Sequence, residues 1–269
     1  MIARLVKAAM KALLPADIYR KAAALTQPAG PIQAPETPAK TEEETSLLAG
    51  YEESALANVI AAKTRALFGH NISDQPGAER TMMGVLYAAR AKPTETLRVL
   101  DFGGACGFHY LAAMPTGIPI RWAIVESNAM VFAAKSFETE KFKFFTEIDV
   151  AMSWLGGIDL LHSFGALQYV PEPRNTLRDL ISLKPPTILW SRLALSDAQE
   201  ERTLQTSMLS ANGPGALPAG FEDARVTYPI TRFPERDFVR AHEGYRLVAR
   251  FGEPSVGFLF ERAVNSLGA

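Results

Sequence analysis

The sequence has a single cysteine, Cys106, in 269 residues, and one thiol cannot close an intrachain disulfide. It has four histidines, His70, His109, His162 and His242, with no C-x-x-C or H-x-x-x-H spacing, which argues against a structural zinc site. Neither sign of charge is in excess. Lys plus Arg is 28 and Asp plus Glu is 29, giving a net charge of −1, so no chain-wide basic field exists to draw in nucleic acid. Runs of about 18 uncharged apolar residues are also missing, which excludes a membrane-spanning helix. These absences predict a cytoplasmic protein of a reducing compartment, without a metal and without a nucleic-acid partner. What remains is enough for a core. With 48% of residues hydrophobic and 21% charged, the composition suits a soluble globular protein, and the length fits one large domain with appendages.

Residues 1–25 read as a helix in which Ile2, Leu5, Val6, Leu13 and Leu14 are apolar, while Arg4, Lys7, Lys11, Arg20 and Lys21 outweigh the single acid Asp17. Lys7, Lys11 and Pro15 break the uninterrupted apolar stretch that a secretory signal needs. Such a basic amphipathic helix either docks on the folded domain or a partner chain, or makes weak contact with an anionic membrane surface from the cytoplasmic side. From 26 to 46 the composition turns to Pro28, Pro31, Pro35 and Pro38, then Glu42, Glu43 and Glu44, as expected of a linker. The folded domain is therefore predicted over 47–269.

Helical periodicity over 53–67 and 78–90 places two helices before the first strand. Short apolar runs at 97–102, 120–125, 142–145, 158–162 and 187–192 alternate with helical patterns or glycine turns, which predicts a mostly parallel α/β sheet. Near the end, a helix opened by Pro234 precedes two strand patterns, 245–251 and 256–262, separated by Gly252-Glu253-Pro254-Ser255, and these read as an antiparallel hairpin.

The densest chemical information lies in Val99-Leu100-Asp101-Phe102-Gly103-Gly104-Ala105-Cys106-Gly107. An apolar strand ends in a carboxylate and enters a turn so rich in glycine that its backbone can approach a ligand closely. One strand later, Trp122-Ala123-Ile124-Val125-Glu126 ends in a second acid, placed to accept both hydroxyls of a ribose. The turn lacks the G-x-G-x-x-G spacing of dinucleotide folds, which disfavours NAD. It resembles instead the first motif of the S-adenosylmethionine-dependent methyltransferases with a Rossmann-like fold. The middle glycine common in that motif is Ala105 here.

Further motifs follow in order: Gly50-Tyr51-Glu52, then Leu167-Gln168-Tyr169, Leu189-Trp190-Ser191-Arg192, Thr203-Leu204-Gln205 and Tyr228-Pro229. With Asp-Phe-Gly-Gly they resemble, over roughly 47–263, a family of methyltransferases found among bacterial surface-polysaccharide genes. Ser191 departs from it, since an Asp often stands there. The resemblance implies a Rossmann-like methyltransferase fold with a seven-stranded sheet, S-adenosylmethionine as cofactor, and a small-molecule acceptor such as a sugar hydroxyl. It assigns the cofactor to Asp101, Phe102, Gly103, Gly104, Gly107, Glu126 and Ser163. A long excursion over 195–230, with Gly213, Pro214, Gly215, Pro218 and Gly220, reads as irregular and as the acceptor side. His162 is the candidate general base, with Tyr169, Arg192, Gln205 and Tyr228 as candidate acceptor contacts. Two other readings stay open at this point: a nicotinamide-dependent sugar oxidoreductase, and a non-catalytic scaffold that keeps the fold.

Overall fold

In the computed structural model the described residues are 36–38 and 54–263, apart from 71, 93, 94, 253 and 254. The basic segment 1–25, the Gly50-Tyr51-Glu52 motif and most of the 26–46 stretch lie outside them. That stretch contributes one short strand, β1 (Glu36–Pro38).

Two helices, α1 (Ser54–Arg65) and α2 (Ala78–Ala89), precede β2 (Leu97–Phe102), as the periodicity predicts. There follow α3 (Phe108–Ala113), β3 (Ile120–Val125), α4 (Asn128–Ala134), β4 (Phe142–Phe145), α5 (Ile148–Leu155), β5 (Leu160–Phe164), α6 (Pro173–Ser182) and β6 (Thr187–Leu193). The chain closes with α7 (Glu235–Arg240), β10 (Tyr245–Phe251) and β11 (Val256–Arg262). Seven strands form one sheet in the order β10-β11-β6-β5-β2-β3-β4. Its five central and outer strands β2 to β6 are parallel, and β11 pairs antiparallel with both β6 and β10. The predicted mixed sheet with a closing hairpin is the one observed.

Parallel strands bury both faces, and here each face has its own core. Leu56, Val59, Val85, Val99, Trp122 and Ile124 belong to the layer beneath α1, α2 and α4. Leu100, Val125, Leu161, Trp190, Phe238 and Phe258 belong to the opposite layer, beneath α5, α6 and α7. The chain leaves β2 toward β3 on one side, and β5 later returns to its other side, so β2 and β5 flank the topological switch point. In open α/β sheets ligands gather outside the carboxyl ends of the strands at such a point.

Two expectations are corrected. Strand β5 begins at Leu160 rather than 158 and runs on through Ser163 and Phe164, because Asp159 turns outward to Arg98, whose Nε donates to it at 2.9 Å. The 195–230 excursion is not irregular. It contains β7 (Leu195–Ser196), β8 (Glu201–Met208) and β9 (Arg225–Pro234), and with β1 these make a second sheet in the order β1-β8-β9-β7. In β9 the buried residues Val226, Tyr228 and Ile230 alternate with half-buried ones, the period-two pattern of a strand with one covered face. Gly213, Pro214, Gly215, Pro218 and Gly220 all lie in the loop between β8 and β9, whereas Pro229 sits within β9 itself.

Candidate functional site

At the end of β2 the Asp101 side chain is fully buried. Its Oδ2 accepts from Trp122 Nε1 at 3.1 Å, and its Oδ1 lies 2.7 Å from His162 Nδ1. A carboxylate can only accept, so Nδ1 of His162 carries the proton and Nε2 is left to accept the Thr81 hydroxyl, 3.2 Å away. The Thr81 oxygen in turn accepts from Nδ1 of His109 at 2.8 Å. Burial holds His109 well below the usual imidazole pKa, with the neighbouring His162 adding to the effect. Each proton in this row has a donor and an acceptor assigned, from His109 through Thr81 and His162 to Asp101. The row joins α3, α2, β5 and β2 beneath the glycine turn. It also engages both ring nitrogens of His162, the expected general base, and leaves that ring no exposed surface.

The turn itself is built on this carboxylate. A Cβ on Gly104 would lie 2.2 Å from Asp101 Oδ2, and one on Gly103 would lie 2.0 Å from the Ala166 Cβ. Gly103 (φ +70°) and Gly107 (φ +95°) also adopt the left-handed conformation. Ala105 stands between them with φ +47°, a left-handed alanine at the position where the family motif commonly has glycine. That geometry costs a non-glycine residue roughly 1 to 2 kcal/mol. Ala105→Gly is therefore expected to raise unfolding stability by about 1 kcal/mol in urea denaturation, and a loss of stability would show that the Ala105 methyl contributes packing worth more than the strain.

The strain is held by Glu126. Its Oε1 accepts the Ala105 N–H at 2.9 Å and its Oε2 accepts the Ser127 N–H at 2.8 Å. The acid predicted at the tip of the neighbouring strand thus reaches across to the glycine turn. Phe102 and Glu126 are half-buried, whereas Ser163 is buried in β5. Cys106 packs against Met130 with its sulfur 3.9 Å from the thioether, and burial pushes the thiol pKa up, so it is an unreactive packing residue.

Across the switch point, the ends of β5 and β6 carry a second group. Gly165 (φ +66°) donates its N–H to Ser191 O, and Arg192 takes φ +53° with its side chain exposed. Gln168 Nε2 donates to Arg192 O at 3.0 Å, fixing that turn. Tyr169 donates its hydroxyl to Gln205 Oε1 on β8 at 3.2 Å and packs edge-on against Tyr228 at 5.2 Å. Burial raises the Tyr169 pKa, so the phenol stays protonated. The Tyr228 hydroxyl is 3.0 Å from Ser207 Oγ and 3.4 Å from Asn212 Oδ1. The structure thus brings Tyr169, Gln205 and Tyr228 together and sets Arg192 at the adjacent strand end, while Asp101 and His162 belong to the buried row.

Sequence reasoning missed Thr81, His109 and Trp122 in that row. A threonine in the first turn of a helix carries no local signal of a partner 81 residues away. Lys63 was missed as well. It is buried in α1, and its Nζ donates to Ser210 O and Asn212 O, both at 2.7 Å, fastening the second sheet to the first core. Among the described residues no three His, Cys, Asp or Glu side chains gather to hold a metal ion, and no helix is long and apolar enough to cross a membrane.

No protein-family model and no curated protein sequence matches the chain. Solved structures do. The sugar N-methyltransferase KedS8 from Streptoalloteichus sp ATCC 53650 superposes with a TM-score of 0.51 at 15% identity, over 87% of this chain and 100% of that one. An S-adenosylmethionine-dependent methyltransferase from Clostridium acetobutylicum ATCC 824 superposes with a TM-score of 0.50 at 8% identity, over 76% of this chain and 99% of that one. The fold is therefore the Rossmann-like fold of the methyltransferases.

Proposed function

We propose that the chain transfers a methyl group from S-adenosylmethionine to a small-molecule acceptor. The observation that carries this reading is the pairing, at the switch point of a methyltransferase-type sheet, of a glycine turn with the Glu126 carboxylate at the tip of the next strand. The fit of the cofactor rests on that donor set. A carboxylate at this place can take the two ribose hydroxyls, and the Gly103-Gly104 turn, seated closely on Ala166 and Asp101, presents its backbone to the methionine portion. The bound sulfonium would supply an electrophilic methyl group. What the chain's own residues supply is alignment, because an in-line displacement gains most from fixing the acceptor against the leaving group.

Glu126 binds the ribose in this reading, and Phe102, Gly103, Gly104 and Gly107 shape the cofactor bed. Asp101 acts from below, seating the turn. Tyr169, Gln205 and Arg192 border the acceptor, with Tyr228 supporting the Tyr169 ring. No base is assigned to His162, whose ring nitrogens are both engaged. An amine acceptor needs no strong base, and the sugar N-methyltransferase among the fold neighbours makes an amino sugar as reasonable an acceptor as the sugar hydroxyl implied by the polysaccharide-gene resemblance. Membrane-surface contact through 1–25 remains part of the proposal, tested by vesicle co-sedimentation against a chain starting at Leu47.

Calorimetry with S-adenosylhomocysteine tests the reading. Glu126→Ala is expected to weaken that binding by roughly 10- to 100-fold, since a hydrogen bond to a charged group contributes about 1.5 to 3 kcal/mol. Equal affinity in variant and parent removes the ribose assignment. Binding of NAD in place of S-adenosylhomocysteine would transfer the site to an oxidoreductase.

A further inference from the structure

Arg80 lies in the first turn of α2, partly buried, and its position is costly in three ways. Burial lowers its pKa, a cation at a helix N-terminus opposes the helix dipole, and its buried Nη1 has no hydrogen-bond partner among the described residues. Glu79 offsets little of this, since its Oε1 is 3.8 Å from Arg80 Nε and its Oε2 accepts the Gly77 N–H at 3.0 Å. The surroundings nevertheless make room for the guanidinium. Its Cζ lies 5.1 Å over the Phe251 ring, and a Cβ on Gly252 would come within 2.3 Å of Nη2.

A second orphan lies at the same level. Ser191 is fully buried in β6, and its Oγ also has no partner among the described residues. Leu189, two residues earlier on β6, packs under Gly84 of α2, where an added Cβ would meet its Cδ2 at 2.5 Å. Strand alternation places Ser191 on that same face, about 6 to 7 Å further toward the carboxyl end. Helix α2 runs the opposite way, from Gly77 beside Phe164 to Tyr87 beside Glu261, so Arg80, four residues before Gly84, is displaced by about 6 Å in the same direction. The Phe251 ring that Arg80 overlies also covers Gly257, which borders Trp190 O on β6. Both donors without partners, Arg80 Nη1 and Ser191 Oγ, therefore lie toward the carboxyl end of β6, on the face that α2 covers.

We propose that Arg80 and Ser191 form an anion subsite that receives a carboxylate or phosphate group of the acceptor. Guanidinium N–H and serine O–H both donate, so an anionic oxygen satisfies each, and partial burial strengthens the pairing. The word acceptor rests on the methyl-transfer reading, whereas the anion site does not. The substrate class it selects is an acidic or phosphorylated sugar rather than a neutral one.

The test measures binding to the full chain by calorimetry, with glucose 1-phosphate, glucuronate, glucose and inorganic phosphate as probes and S-adenosylhomocysteine as an independent arm. The two anionic sugars are expected to bind at least about tenfold more tightly than glucose, and Arg80→Met to erase that preference while leaving S-adenosylhomocysteine affinity unchanged. Comparison of the phosphate and carboxylate sugars identifies which anion is taken. Arg80→Met should not lower the melting temperature, because it removes a buried unpaired donor. Ser191→Ala gives a milder loss and serves if Arg80→Met folds poorly. Equal binding of glucose and its 1-phosphate, or anion affinity indifferent to both substitutions, overturns the subsite. If S-adenosylhomocysteine fails to bind while phosphate binds through Arg80, the methyl-transfer reading falls and the anion site stands.

Discussion

Asp101→Ala is expected to destabilise the fold by roughly 2 to 6 kcal/mol, because it strips the acceptor from two buried donors and each orphaned donor costs about 1 to 3 kcal/mol. The donors are Trp122 Nε1 and His162 Nδ1, and the whole side chain is out of water. Asp101→Asn should rescue little. An amide has one acceptor oxygen, so it can serve one of the two donors, and its own NH2 is then turned against the other. A cofactor-contacting carboxylate would behave differently, losing ligand affinity with stability nearly intact. Urea denaturation without ligand separates the two: Asp101→Asn within about 0.5 kcal/mol of the parent would show that the buried row does not hold the turn.

The second large effect is a loss of stability in acid. His242 is buried, its Nδ1 donates to Phe238 O at 2.8 Å, and its Nε2 accepts from Trp190 Nε1 at 2.7 Å. Its ring stacks on Phe260 at 3.9 Å. Protonation would set an Nε2–H against the indole N–H, and burial lowers the pKa from 6.5 to about 4. The unfolded chain takes the proton near 6.5 and the folded one only near 4, so between these values the unfolded state holds more protons. Stability is then complete above about 6.5, falls as pH drops through that window by about 3 kcal/mol, and flattens below 4. His109, also depressed by burial, acts with the same sign. His242→Gln keeps an acceptor for Trp190 and should flatten much of the slope in pH-dependent denaturation. An unchanged slope would assign acid sensitivity elsewhere.

The strands of the main sheet were legible because apolar runs such as 97–102 and 120–125 are bounded by glycine, proline and charge, and because a strand buried on both faces needs no alternation to be seen. Strand β8 was not. Its residues Thr203 to Ser207 are half-buried on both sides and mostly polar, so no period of two emerges, and the neighbouring glycines drew the reading toward an irregular loop. In the site, Glu126 was legible because its position depends on one strand and one turn. The orientation of Asp101 depends instead on Thr81, on another element, and on His162, 61 residues away, a choice that no local pattern encodes. Arg80 escaped notice for the same reason: its isolation exists only once α2, β6 and β10 are assembled.

Lys63 has a wider consequence. Two carbonyls of the loop after β8 rest on a single buried ammonium, and burial lowers its pKa while Asp223 opposes the shift. Three of the second sheet's four strands thus come from one segment, which enters after β6, leaves before α7, and is pinned near one end by side-chain hydrogen bonds to backbone atoms, which do not specify the residues that supply them. A lineage could replace the strands between 195 and 234 with others of different length, provided a carbonyl pair meets that lysine and apolar side chains fill the places of Leu209, Val226, Tyr228 and Phe233 in the two cores. The half of the crevice built from 101–126 would register none of it, and the range of molecules admitted could diversify while the donor side stayed fixed.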